Sequence, residues 1–296
     1  ATFGGRRVNV DNPILSILPS INASRQLTER SQVRLAWATT VNRPEFRELA
    51  PFSFYDFSFN NVLTGNDSLQ IATIQNVDAR YEFYPSAAEV VSFGVFYKHF
   101  TNPIEMFFMP GAGSGGTRNF SYGNARNATS IGAELEVRRQ LSGLFTEGYL
   151  SHVGVMLNAA YIHTEVVLGD EARGQAQQRP LMGQSPYIIN AGLYYQDTER
   201  KLQYNILYNV IGPRLFAVGT YGTPDIYEMP RNVVDLAVTK GFGKKFELKL
   251  SAQDILNQRT LLIQDSNENG GIDDRDEEIM SFRRGAYFTV GLGLRL

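Results

Sequence analysis

Residues 32 to 41 read Gln32-Val33-Arg34-Leu35-Ala36-Trp37-Ala38-Thr39-Thr40-Val41, and their order decides the fold class. Val33, Leu35, Trp37 and Val41 fall on one side of an extended chain, and Gln32, Arg34 and Thr40 fall on the other. Successive side chains of a strand point to opposite faces, so this alternation predicts a strand with one apolar and one polar face. The pattern recurs along the chain. Val77, Ala79, Tyr81 and Phe83 oppose Asn76, Asp78, Arg80 and Glu82; Val91, Phe93, Val95 and Tyr97 oppose Ser92, Gly94 and Lys98. Ile131 to Val137 opposes Glu134, Glu136 and Arg138 in the same way, and the split returns over 153–161, 187–196, 202–209, 234–239, 246–253 and 288–296. With a further segment at 18–28, the chain contains about eleven strands of about ten residues each, the length that a tilted membrane strand requires. No helical period competes with it.

The connections separate a membrane sheet from a soluble one. Short links at 28–30, 85–88, 141–150, 197–201 and 241–245 alternate with long ones at about 42–72, 101–128, 164–185, 212–230 and 256–284. Loops beyond about 12 to 15 residues are uncommon in compact domains. A long loop at every second connection is the pattern of an outer-membrane barrel, with short periplasmic turns and long extracellular loops. The long connections hold the glycine-rich stretches 110–116 and 218–224 and are expected to be exposed, mobile and engaged in recognition. The apolar faces point to lipid and the charged faces into the lumen. Tyr81, Tyr84, Tyr97, Tyr161, Tyr187, Tyr195 and Tyr287 lie near strand ends, where interfacial girdles form.

Composition agrees. The 296 residues are 43% hydrophobic and 20% charged with a net charge of −2, because only one face of each strand need be apolar. The absence of cysteine excludes disulfides, a thiolate nucleophile and Cys-ligated metal sites. Near-neutral charge without a basic block excludes nucleic acid as a partner. No window reaches the roughly 18 apolar residues of a membrane helix. The three histidines, His99, His152 and His163, sit in no HExxH or Asp-His-Ser arrangement, and no enzymatic role is expected. Counted from a C-terminal strand that ends in the periplasm, the strand at 18–28 also runs downward. Eleven strands leave two unpaired edges that lipid does not tolerate, and bacterial single-chain barrels have even strand numbers. The chain also opens at Ala1 without a methionine. The expectation is that residues 1–296 are the C-terminal half of an all-β, transmembrane antiparallel barrel of about 22 strands, with plug and N-terminal strands upstream.

The stretch Asn42-Arg43-Pro44-Glu45-Phe46-Arg47-Glu48-Leu49-Ala50-Pro51, followed by Gly65-Asn66-Asp67-Ser68-Leu69 and Asn76-Val77-Asp78-Ala79-Arg80-Tyr81-Glu82, resembles the C-terminal half of TonB-dependent outer-membrane receptors, in particular those of Bacteroidetes-type bacteria. Phe96-Tyr97-Lys98 with Asn102-Pro103-Ile104-Glu105, Asn124-Ala125 to Glu136, and Asp254-Ile255-Leu256-Asn257 are similar to further blocks in the same order. The resemblance covers almost the whole chain from about Pro19. It implies a bacterial outer-membrane location and import of a scarce nutrient (siderophore, cobalamin, glycan or peptide). It further implies energy from the TonB–ExbB–ExbD complex, contacted by an upstream segment. The chain departs from the family in ending at Leu296 rather than at an aromatic residue. Outer-membrane lipid and a surface lipoprotein are further expected partners. The alternative is a barrel that anchors a surface or secretion complex; a passive porin is a third reading.

Two sets of candidate site residues follow. Phe52, Phe54, Tyr55 and Phe57, with Phe46, form an aromatic cluster in the first long loop; they either stack on a sugar or chelate or pack the loop onto the barrel rim. In the last long loop, Asp265, Asn267, Asn269, Asp273 and Asp276 place oxygen donors at positions one, three, five, nine and twelve of a calcium-loop pattern, with Gly270 at six. The glycine permits the sharp turn that lets the oxygens converge, and hard donors suit Ca²⁺. Asp276 stands where a bidentate Glu is usual, and no helices flank the loop. In the lumen, Glu134 and Glu136 share a strand face and are expected to pair with Arg residues of neighbouring strands in a network that holds a plug.

Overall fold

The computed structural model describes residues 14–57, 60–109, 117–168, 178–220, 223–267, 269 and 271–294. Its frame is a sheet whose eleven main strands follow one another in sequence order, each antiparallel to its neighbours. They are β1 (Ser20–Thr28), β2 (Ser31–Asn42), β3 (Ala72–Phe83), β4 (Val90–Thr101), β5 (Asn127–Gln140), β6 (Val153–Val167), β7 (Tyr187–Asp197), β8 (Leu202–Ile211), β9 (Arg231–Phe242), β10 (Phe246–Gln253) and β11 (Tyr287–Leu294). A two-residue strand, Gln178–Arg179, pairs with the end of β6.

Register carries the alternation from strand to strand. Leu35, Ala79, Val95, Ala133, Tyr161 and Tyr187 are successive cross-strand partners and form an apolar row. Gln32, Glu82, Ser92, Glu136, Asn158, Asn190 and Asn209 form a polar row on the opposite face. A one-residue slip in any pair would exchange the faces, so the two rows fix the register of the wall. On the polar face, glycines receive neighbouring rings: a Cβ at Gly154 would lie 2.0 Å from the Tyr194 ring, and one at Gly132 would lie 2.5 Å from the Phe96 ring. Tyr194 also accepts a 2.9 Å hydrogen bond from Gln140.

Most of the apolar face is uncovered. Leu35 is 54% exposed, Phe93 52% and Ile131 55%, and among the described residues no protein layer packs on them. Among the described residues β1 and β11 do not pair with each other, and every residue of both strands is exposed. This is an open segment of barrel wall, apolar outside and polar inside, in agreement with the sequence.

The connections alternate as expected, with two 3₁₀ turns, Leu141–Gly143 and Tyr149–His152, in the longest of the short ones. The long connections differ from expectation. Their described parts are folded rather than loose, because they carry short strands that pair with one another into two further four-stranded sheets. Val218, expected in a mobile stretch, is 1% exposed; residues 110–116 lie outside the described residues. Tyr84 is a second correction. It shares parity with Gln32 and Glu82, and its hydroxyl donates to Glu82 at 2.8 Å on the polar face, so it belongs to the lumen rather than to a lipid girdle.

Candidate functional site

The two sheets built by the long connections form a cap at one end of the wall. The first joins Ser53–Asp56, Asn61–Thr64, Arg118–Asn124 and Ile104–Phe108, and the pairing of Asn61–Thr64 with Arg118–Ser121 is parallel. The second joins Arg214–Ala217, Ile226–Glu228, Thr260–Gln264 and Glu277–Phe282. A backbone hydrogen bond from Phe108 to the Val218 carbonyl, at 3.0 Å, links them. Phe120, Ala217, Ile226 and Leu262 form a buried core between the sheets, with Met106, Phe108 and Met280 packed around it. Phe108 meets Phe120 edge to face at 5.8 Å, a favourable arrangement of ring quadrupoles. A cavity of about 260 Å³ remains between the sheets, lined among others by Asn61, Arg118, Phe216 and Met280. A larger one of about 410 Å³ lies where the second sheet meets the wall, against Tyr161, His163, Pro186, Pro213, Tyr227 and Ile272.

Charges lock the cap. Arg179 donates to both oxygens of Glu105 at 2.9 and 2.6 Å, and both side chains are buried. The Met182 amide adds a third bond to Glu105 at 3.3 Å. A bidentate pair with additional donors is the geometry in which a buried ion pair offsets its desolvation. Nearby, Asp225 accepts the Gly219 amide at 2.6 Å, and burial pushes its carboxyl above the usual carboxylate range. The Tyr227 hydroxyl is pushed up to about 12 by burial and by the charges of Asp225 and Asp265. None of Glu105, Arg179 or Asp225 was singled out as a site residue from sequence. The pair is separated by 74 positions, and no local pattern signals it.

The aromatic candidates lie on the outside of the cap. Phe52 and Phe54 have ring centroids 4.4 Å apart, and Tyr55 and Phe57 meet edge to face at 4.6 Å. Arg47 lies over the Phe54 ring at 5.5 Å. Phe46 is 81% and Phe57 86% exposed, so these two rings are presented to solvent.

The acidic loop is held by its own hydrogen bonds. The Asn269 amide donates to Asp265 and Asn267, each at 3.1 Å, and the Asp273 amide donates to Asp276 at 2.7 Å. The side-chain amides of Asn267 and Asn269 donate to the two oxygens of Asp273 at 3.2 and 3.0 Å. The Arg275 guanidinium, 2.7 Å from Asp273, holds that carboxyl well below the usual carboxylate range. Asp276 Oδ1 is buried without a hydrogen-bond partner. Among the described residues, no three His, Cys, Asp or Glu side chains are gathered where they would hold a metal.

On the polar face of the wall a charged chain crosses several strands. Glu82 receives Arg34 at 3.0 Å, Arg80 at 3.3 Å and Gln32 at 2.6 Å, and Arg80 continues to Glu136 and Ser92. The expected pairing therefore holds for Glu136; Glu134 takes no ion pair among the described residues. Both glutamates, with Arg80, Asn158 and Asn190, line a hollow of about 250 Å³.

The comparisons with known proteins give the same frame. No curated protein matches the chain. Among solved structures, the ferric enterobactin receptor of Pseudomonas aeruginosa superimposes with a TM-score of 0.59 at 18% identity over 94% of this chain and 40% of its own. A siderophore receptor of Acinetobacter baumannii gives 0.56 at 16% identity, also over 94% and 40%. A copper transporter gives 0.62 at 13% identity, over 93% and 40%. At these identities the likeness shows the fold, and the chain spans about two fifths of those proteins. Residues 5–287 match the model of one family over nearly the whole length. The chain therefore belongs to the outer membrane protein beta-barrel family, and its wall lies in the bacterial outer membrane.

Proposed function

We propose that this chain is the C-terminal half of a TonB-dependent outer-membrane receptor of Bacteroidetes type. Its barrel has about 22 strands and imports a scarce nutrient with energy from the TonB–ExbB–ExbD complex. The observation that carries the reading is the union of a polar, charge-laced wall face with a folded cap at one end of an open stretch of barrel wall. A passive pore needs no such cap. The two free edges support a partner half, since an unpaired strand edge in lipid costs several kcal/mol for each lost hydrogen bond. Receptors for ferric enterobactin and other siderophores share the fold, which favours a siderophore or another chelate over cobalamin, a glycan or a peptide. A surface lipoprotein that seats on the exposed Phe46 and Phe57 belongs to the same proposal.

Growth of a deletion strain on defined iron, cobalamin and glycan sources, with and without functional TonB, tests the proposal. A growth defect on one source that TonB loss reproduces is expected. Equal growth on every source would sink the transport reading and leave the anchoring one.

Calcium in the acidic loop is part of the proposal. The oxygen donors have the right chemistry, and Asp276 Oδ1 has spare acceptor capacity. Binding would require Asp273 to leave Arg275 and the Asn267 and Asn269 amides to turn their oxygens inward. Calcium should then protect residues 256–284 from protease, and the double substitution Asp265→Ala, Asp273→Ala should abolish that protection. Cleavage indifferent to calcium in the unsubstituted protein would remove the loop from consideration.

A further inference from the structure

Four of the five short connections are polar turns. They carry Glu29 and Arg30, Glu89, Glu199 to Lys201, and Lys244 with Lys245, and among the described residues the one large apolar side chain exposed within them is Phe242, which ends the lipid face of β9 opposite Phe246 rather than standing in the turn itself. The fifth, residues 141–152, reads Leu-Ser-Gly-Leu-Phe-Thr-Glu-Gly-Tyr-Leu-Ser-His. It exposes Leu144 and Phe145 just after its first 3₁₀ turn and Tyr149 and Leu150 in its second. A periplasmic turn surrounded by water has no reason to present four such side chains together.

The segment folds outward. The Tyr149 ring stacks on Tyr195 at 4.5 Å with the planes 13° apart, and His152 meets the same ring edge-on at 5.7 Å. Tyr195 lies on the lipid face of β7, where its cross-strand partners are Val153 and Tyr204. It is 6% exposed because the segment covers it, whereas Leu193 on the same face is 50% exposed. The turn is therefore laid against the outside of the wall instead of under the lumen mouth. Arg139, the last lipid-face residue of β5 before the segment, is held by Glu89 at 3.4 Å.

We propose that residues 141–152 are an interfacial foot, inserted among the phospholipids of the periplasmic leaflet and continuous with the lipid-facing wall. Leu144, Phe145 and Leu150 enter the acyl boundary, and Tyr149 sits between acyl chain and headgroup, where a ring with one polar end is most stable. The foot fixes the height of the barrel at the β5–β6 hairpin, on the side away from the cap.

The chain contains no cysteine, so single cysteines can carry nitroxide labels. The full-length protein, in a cysteine-free background and reconstituted in phosphatidylethanolamine–phosphatidylglycerol vesicles, would be labelled at Leu144→Cys, Phe145→Cys and Leu150→Cys. Ile131→Cys on the lipid wall and Lys244→Cys in a polar turn serve as references, and lipid-like behaviour at Ile131→Cys verifies that the barrel has inserted. The foot predicts collision rates higher with oxygen than with a water-soluble nickel chelate at all three positions, as at Ile131→Cys. Nickel access equal to that of Lys244→Cys would overturn the proposal in favour of a solvated turn. Shielding from both reagents would overturn it in favour of a protein contact.

Discussion

Leu35, Phe93 and Ile131 in the wall and Phe120, Leu215 and Val218 in the cap are residues of the same kind with opposite fates. The wall residues are more than half exposed, while the cap residues are at most 1% exposed. The wall orders its backbone through cross-strand hydrogen bonds and leaves its apolar face for lipid to cover. The cap lies in water and must cover its own apolar residues, which it does by pairing connections that are far apart in sequence. The wall is thus built from neighbouring hairpins and the cap from distant segments, so a perturbation of one should leave the other in place.

The largest separation of the two is expected from Phe120→Ala. Removal of the cap's most buried ring should cost about 3–5 kcal/mol locally. Hydrogen exchange would rise over 104–108, 118–124, 214–228 and 260–282 while β2 to β9 keep their protection. A uniform rise would show that cap and wall unfold as one unit. Val95→Arg, at the centre of β4 between Ala79 and Ala133, places a charge on the lipid face and should cost about 2–4 kcal/mol. Urea unfolding in vesicles would read this loss, and Tyr55→Arg on the cap surface should leave the midpoint unchanged; equal effects would remove the contrast between the two regions. The smallest effect concerns pH. The Asp225 carboxyl is raised in the folded cap, so as pH rises the unfolded chain releases its proton first. Cap stability from this group is full below the unfolded value and falls until pH passes the folded value. Asp225→Asn keeps an acceptor for the Gly219 amide and should flatten that fall, which exchange rates in the 214–228 segment across the acidic range would check. An unchanged profile would move the effect to another group.

Much of the wall was legible because period two is a local property. Each hairpin closes over a turn, and the parity of Leu35 or Glu136 along its own strand already assigns its face. Tyr84 shows the limit of reading position without parity: it lies at a strand end, yet it counts with Glu82. The cap was not legible. Asn61–Thr64 pairs with Arg118–Ser121, and Glu105 with Arg179, across spans in which no residue signals its partner. The aromatic candidates illustrate the same divide, since their composition was evident but the exposure of Phe57 depends on what the rest of the first cap sheet covers.

The sequence by itself determined the eleven strands, their two faces, the alternation of short and long connections and the need for a lipid solvent, because backbone geometry ties side-chain direction to position along a strand. Only the tertiary structure decided that the long connections fold into a cap with its own core and a buried Glu105–Arg179 lock. It also decided that the 141–152 turn lies against the outer wall. Those outcomes depend on contacts between residues far apart in the chain, whose free energies no local pattern encodes.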